Sequence, residues 1–326
     1  MDATAEAFLT AIDAHARHGT TSIVPTTTVA PLETIVETLQ TCRGLLVGPN
    51  CSSRILGLHL YGPYFGKEAA GCHPTGPLRD PAPAEYERCL IFRDVIVSAT
   101  VAPELPGAEA FARACHDRGI LVCVGHSHCS FSQMEEAIGW GTRHVDHLFC
   151  AMSDRARMRQ TQAYPMRGGL VEATLYFDQV TTEVIADGKH LTRELLLLAL
   201  KVKGPDRLAL VTDCNRALDM PDGEYIFGPK VGGQPILRVD GVGLMPDGTA
   251  LASSVRGMDH MVRTFHALTG CPLHVAVRMA SLTPARIIGK DRELGSLEAG
   301  KFADLVLLDD ALEVRQVWVG GRPIVR

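Results

Sequence analysis

The chain has 326 residues, 46% of them hydrophobic and 21% charged, with a formal net charge of −5. That length and apolar content suit one large globular domain or two smaller ones. The mild, interspersed charge gives no basic footprint for nucleic acid, and no apolar run nears the ~18 residues of a membrane span.

In chain order, short β-branched runs alternate with helical patterns. A helix is expected over residues 3–17, with no apolar signal core ahead of it, then a strand at 20–26. Further strands are expected at 54–60, 95–104, 120–127, 142–149, 181–188 and 206–213, with helices between them. Gly141, after "SQMEEAIGW", reads as a helix stop. Strands this apolar, separated by helices, predict a parallel sheet covered on both faces. The count is seven strand–helix units, where a (β/α)8 barrel of the TIM type needs eight. The shortage falls at the N-terminus, where the chain opens directly in a helix. Residues 222–255 are Gly-rich and alternating and predict a β-hairpin insertion, and helices resume at 256–269 and 273–280. The expected division is a barrel over 1–288 and a C-terminal β segment over 289–326, part of a small β-sandwich. The ten cysteines are scattered without a CxxC pair, so reduced, mostly buried thiols in a cytoplasmic protein are expected.

Catalytic groups of such barrels stand at the C-terminal ends of strands. The polar residues there are Tyr61, Glu104, His126, His147, His190 and Asp213. His126, His147 and Asp213 form a metal-like set, because neutral imidazoles suit zinc or iron and a carboxylate can bind the ion or take a proton from its water. A lone strand-end histidine is more often a hydrogen-bonded structural residue, but two on adjacent strands with a terminal aspartate weaken that reading. His128 and His144 read as surface or supporting residues. Asp146 reads as an orienting or structural carboxylate, and Cys214 has no base beside it in the sequence.

Twelve segments, among them "LHLYGPYF", "GCHPTG", "VGHSHCS", "DHLFCAMS", "EVIADGKH", "LALVTD" and "GSLEAGKFADLVLLD", occur in an order and spacing that resemble the N-acetylglucosamine-6-phosphate deacetylase family of the amidohydrolase superfamily. The resemblance implies a metal-dependent enzyme that hydrolyses the N-acetyl group of an amino-sugar phosphate. His126 and His147 match its histidine metal ligands, and Asp213 the aspartate that activates the metal-bound water and protonates the leaving amine. His73 matches the histidine that polarises the acetamide carbonyl. Cys150 and Ala151 match a pair near the substrate phosphate, and His190 a pocket histidine. Arg167 is the candidate phosphate arginine, with Arg157 and Arg159 as alternatives. A divalent metal, zinc or else iron, and a homodimer are also implied. Three departures stand out. Tyr61 replaces a metal-ligating glutamate, Cys150 replaces an asparagine, and the family's opening strand has no counterpart here. Tyr61 is expected to be a pocket wall, because a neutral phenol is a poor zinc ligand. Other expectations left open are a different amide or deamination substrate, and a sugar-phosphate-binding relative with impaired catalysis.

Overall fold

The computed structural model describes residues 2–46 and 52–324. Helix α1 (Ala5–Arg17) is capped by Thr4, whose hydroxyl oxygen accepts from the Ala7 amide, and it buries Phe8, Ile12 and Ala16 along one stripe. β1 (Ser22–Ile23) and α2 (Leu32–Leu46) follow. The strand expected at 54–60 is divided into β2 (Arg54–Ile55) and β3 (Leu58–Leu60). Gly57 is the reason: its φ is +131°, and a Cβ there would lie 2.5 Å from the Val95 carbonyl oxygen.

The chain then alternates regularly: α3 (Pro83–Leu90), β4 (Ile96–Thr100), α4 (Ala108–His116), β5 (Leu121–Val124), α5 (Phe131–Gly139), β6 (Thr142–Val145), α6 (Arg155–Thr161), α7 (Leu170–Tyr176), β7 (Thr181–Ile185), α8 (Arg193–Lys203) and β8 (Leu208–Val211). Strands β3 to β8 pair in sequence order, all parallel, into one curled six-stranded sheet. β1 pairs with β2, and Thr26 bridges to His59, which sets the 20–26 segment beside β3. Helices seal the outer face: Leu39, Phe111, Met134, Ala173, Leu196 and Phe265 are all buried.

After β8 the expected hairpin is a larger structure. β9 (Gly223–Phe227), β10 (Gln234–Val239), β11 (Val242–Leu244) and β12 (Leu251–Ser254) form a four-stranded antiparallel sheet. It carries its own small core of Cys72, Phe227, Ile236 and Ala252, and its Phe227, Leu251 and Ser253 line the large cavity. Helices α9 (Met258–Thr269), α10 (Leu273–Ala280) and α11 (Leu282–Ile287) pack against β8. The tail makes a three-stranded antiparallel sheet, β13 (Leu305–Leu308), β14 (Val314–Val319) and β15 (Arg322–Ile324). The last two residues assigned to that segment lie outside the described ones. The tail is fastened by Arg54, whose guanidinium lies 4.0 Å over the Phe302 ring and 3.3 Å from Asp304 Oδ1.

Among the described residues no strand pairs with β8 on its free edge and β1 pairs only with β2, so the curled sheet is open between β8 and β1. A cavity of about 1170 Å³ enters the sheet from its C-terminal end. It is lined by Ile23 and Pro25 on one side and by Leu210 and Val211 on the other, and it reaches Val306 and Val314 of the tail sheet. No helix among the described residues is long and apolar enough to cross a membrane. The described cysteines are all free.

Candidate active site

Three strand ends supply the central groups. His126 follows β5, His147 follows β6 and Asp213 follows β8, and all three have left-handed backbones, with φ of +46°, +21° and +41°. Such conformations cost energy in non-glycine residues and persist where the surroundings hold a side chain in a set direction. Here that direction is into the cavity, which His126, His147 and Asp213 all line with His73, Cys150, Ala151 and His190.

Tyr61 links the two histidines. Its hydroxyl oxygen lies 2.5 Å from His126 Nε2 and 2.6 Å from His147 Nε2, and the two nitrogens are 3.2 Å apart. His126 Nδ1 lies 2.8 Å from the Ala69 carbonyl oxygen, which can only accept, so Nδ1 carries the ring hydrogen and Nε2 is a bare acceptor. Tyr61 therefore donates to His126 and accepts from His147. Burial holds the His126 imidazole neutral, well below its usual pKa, with His73 and His147 adding to the effect. Burial also raises the Tyr61 phenol well above its usual value, with Asp213 the largest charge contribution, so it stays protonated near neutral pH. Phe65 stacks on His126 at 4.3 Å between centroids, and the Tyr61 ring stands edge-on to Phe65 at 4.9 Å.

His73 is buried, with Nδ1 3.1 Å from the Thr28 hydroxyl, and burial brings its pKa down to about 3. Asp213 is pushed the other way: burial raises its pKa, opposed by His147 and His190. A carboxyl whose pKa is raised in this way is better suited to take and return a proton. His190 is set by Asp187, whose Oδ2 is 2.7 Å from Nδ1. Cys150 is an inert thiol, pushed up to about 12 by burial. None of the three candidate arginines lines the cavity; Arg157 is half-buried and pairs with Glu68, a lining residue, whereas Arg159 and Arg167 are exposed.

The imidazole pair fits a divalent ion in donor type and in convergence: two buried nitrogens 3.2 Å apart, one of them oriented by a backbone carbonyl. The phenol does not fit. An ion bonded to both nitrogens at about 2.0–2.1 Å would occupy nearly the place of the Tyr61 oxygen. The ring must turn aside, and the His147 hydrogen must move to Nδ1, which has no partner.

Sequence reasoning missed a second polar layer inside the sheet. His59 Nε2 lies 2.7 Å from Thr100 Oγ1, which donates to Asp146 Oδ2 at 2.7 Å. His144, expected at the surface or in a supporting place, is buried, with Nδ1 2.8 Å from Thr181 Oγ1 and Nε2 3.5 Å from Glu183 Oε2. Among the described residues, two groups bring three ligand atoms within 4.8 Å of one another: His59, Cys123 and Asp146, and His144, Asp146 and Glu183. The signal was strand alternation, since His144 and Asp146 are two residues apart and share a face. Glu104, by contrast, points away from this chemistry, accepting from the Ser127 hydroxyl and from the His128 amide at 2.7 Å.

The profile of the amidohydrolase family matches residues 1–324. The chain is 33% identical over 308 residues to the N-acetylgalactosamine-6-phosphate deacetylase of Escherichia coli O157:H7, covering 94% of this chain and 78% of that one. It is 32% identical over 324 residues to the N-acetylglucosamine-6-phosphate deacetylase of Vibrio furnissii, covering 99% and 77%. Its fold superposes with a TM-score of 0.90 on a mutant N-acetyl-D-glucosamine-6-phosphate deacetylase from Mycobacterium smegmatis in complex with N-acetyl-D-glucosamine-6-phosphate, at 32% identity over 99% of this chain and 82% of that one. The corresponding score with the Thermotoga maritima N-acetylglucosamine-6-phosphate deacetylase is 0.85, at 30% identity over 98% and 81%. Strand-end histidines and an aspartate converging on the C-terminal mouth of a parallel sheet agree with that match along nearly the whole chain, and the protein belongs to the amidohydrolase family.

Proposed function

We propose that this protein hydrolyses the acetamide of an N-acetylhexosamine 6-phosphate, with N-acetylglucosamine 6-phosphate the first candidate, giving the free amino sugar phosphate and acetate. The observation that carries this is similarity to sugar-phosphate deacetylases at 30–33% identity over more than nine-tenths of the chain. The site agrees with it: a neutral histidine, a carboxyl of raised pKa and a converging imidazole pair line one cavity.

His126 and His147, with Asp213 beside them, are the residues that would hold a divalent ion, zinc by their donor chemistry or else iron, once Tyr61 has turned aside. When bound, such an ion supplies an acidified water and neutralises developing charge. The chain's own residues do the rest. With Thr28 donating to Nδ1, His73 carries its hydrogen on Nε2 and donates it to the acetamide oxygen as negative charge builds there. Asp213 takes a proton from the attacking water and returns it to the amine nitrogen as the carbon–nitrogen bond breaks. His190, held by Asp187, the Cys150–Ala151 turn and Arg157 at the rim form the sugar-phosphate end of the cavity. An arginine from a second copy in a homodimer is the other possible source of a phosphate contact.

The test is release of acetate, followed by proton NMR, from the 6-phosphates of N-acetylglucosamine and N-acetylgalactosamine and from the unphosphorylated sugars, with zinc present. Turnover of either phosphate and not of the free sugars supports the reading. Saturable binding of the phosphates without acetate release would instead show a binding protein whose chemistry Tyr61 has blocked.

A further inference from the structure

We propose that His144, Asp146 and Glu183 form a second divalent-cation site of the zinc class, inside the sheet and separate from the His126–His147 pair. The argument begins with where the hydrogens go. The Thr181 hydroxyl lies 3.0 Å from the Arg143 carbonyl oxygen, which can only accept, so Thr181 spends its hydrogen there. It must then accept from His144 Nδ1, 2.8 Å away. That fixes one ring hydrogen of His144 on Nδ1 and directs Nε2 at the Glu183 carboxylate, 3.5 Å away.

Asp146 completes the set. It is 1% exposed; one oxygen accepts from Thr100, while Oδ1 is buried with no hydrogen-bond partner. The unpaired oxygen of a buried carboxylate is costly unless something positive meets it. One imidazole and two carboxylates thus gather with ligand atoms within 4.8 Å of one another. One nitrogen and two carboxylate oxygens suit zinc, and the charge of a divalent ion balances the pair. The second group, His59, Cys123 and Asp146, shares the aspartate, so Asp146 is the pivot of the layer. Gly125 makes room for it, since a Cβ there would lie 2.4 Å from Asp146 Oδ2. The site opens to solvent, because His144, Asp146 and Glu183 all line the large cavity. None of the three has a role in the proposed hydrolysis, and the inference does not rest on that reaction.

The experiment is metal counting. Protein stripped with a chelator is dialysed against zinc alone and analysed by mass spectrometry, in four forms: wild type, Glu183→Gln, a His126→Ala/His147→Ala double variant, and the double variant with Glu183→Gln added. The expected result is that the double variant keeps about one zinc per chain and that Glu183→Gln removes it in either background. Cobalt(II) loaded into the double variant should show visible ligand-field absorption that Glu183→Gln abolishes. If the double variant is misfolded by circular dichroism, the comparison of wild type with Glu183→Gln decides alone. A zinc count unchanged by Glu183→Gln overturns the proposal, because a protonated His144 paired with Glu183 would then account for the cluster. Acetate release is read separately, so failure here leaves the proposed hydrolysis standing, and the reverse holds too.

Discussion

The hydroxyl oxygen of Tyr61 lies 2.5 Å from Nε2 of His126. The same oxygen satisfies His147, so one phenol closes a hydrogen-bonded chain from His147 through Tyr61 and His126 to the Ala69 carbonyl. The imidazole pair is therefore stable as it stands, and any ion must compete with an internal partner.

That competition predicts the behaviour of two substitutions. Tyr61→Glu replaces the competitor with an ionised ligand and should raise bound zinc by about one equivalent over wild type after equilibrium dialysis. Tyr61→Phe removes the hydroxyl without adding a ligand and should leave the count no lower than wild type. Loss of zinc in the Phe variant would make Tyr61 a genuine ligand and reverse this account of it.

A pH-dependent staple spans the open side of the sheet. His18, at the end of α1, places Nδ1 2.9 Å from Asp259 Oδ1 on α9 and Nε2 2.9 Å from Asp219 Oδ1. The Asp259 hydrogen bond, outweighing partial burial and helped by Asp219, raises the His18 pKa above its usual value. A raised histidine pKa means the folded state binds the proton more tightly. The stabilisation is then full below the unfolded value of about 6.5 and is lost as pH rises through the folded one. His18→Gln should cost about 1–3 kcal/mol near pH 6 and clearly less near pH 9, by urea denaturation at both. An equal loss at both pH values would show that the imidazole acts only through packing.

At the phosphate end, Arg157→Ala should raise KM for the phosphorylated substrate by about tenfold or more while changing kcat by less than about threefold, the pattern of lost uniform binding. Arg167→Ala, at an exposed side chain away from the wall, should change neither. A large KM effect at Arg167 and none at Arg157 would move the phosphate to a different part of the rim.

Much of this arrangement was legible in the sequence because strand ends announce themselves. His126, His147 and Asp213 each follow an apolar run, and the structure places all three on the cavity wall. The regular alternation of 95–213 was equally plain, since each buried strand is bounded by a capped helix such as α5, where Ser130 and Gln133 form a capping box. The insertion at 222–255 was less so. Its Gly-rich turns suggested one hairpin, but four strands form because a wider sheet can bury Phe227 and Ile236 against Cys72. His144 was left between the surface and a supporting place because its neighbour Arg143 is exposed and the strand is short. Only the pairing of β6 with β7, which sets His144 beside Thr181 in register, turns it inward. The position of the Tyr61 hydroxyl was out of reach, for it depends on strand ends meeting at one edge of the curled sheet.

The most direct test is acetate release from N-acetylglucosamine 6-phosphate by zinc-loaded wild type beside Asp213→Asn. The amide keeps the shape of the carboxyl but cannot carry the proton from water to amine. The expected result is measurable turnover in the wild type and a loss of roughly 10²–10⁴-fold in the variant, with substrate still bound, as general acid–base catalysis implies. A variant that retains more than about a tenth of wild-type turnover would contradict the role given to Asp213, and with it the reading of this cavity as a hydrolytic site built on that carboxyl.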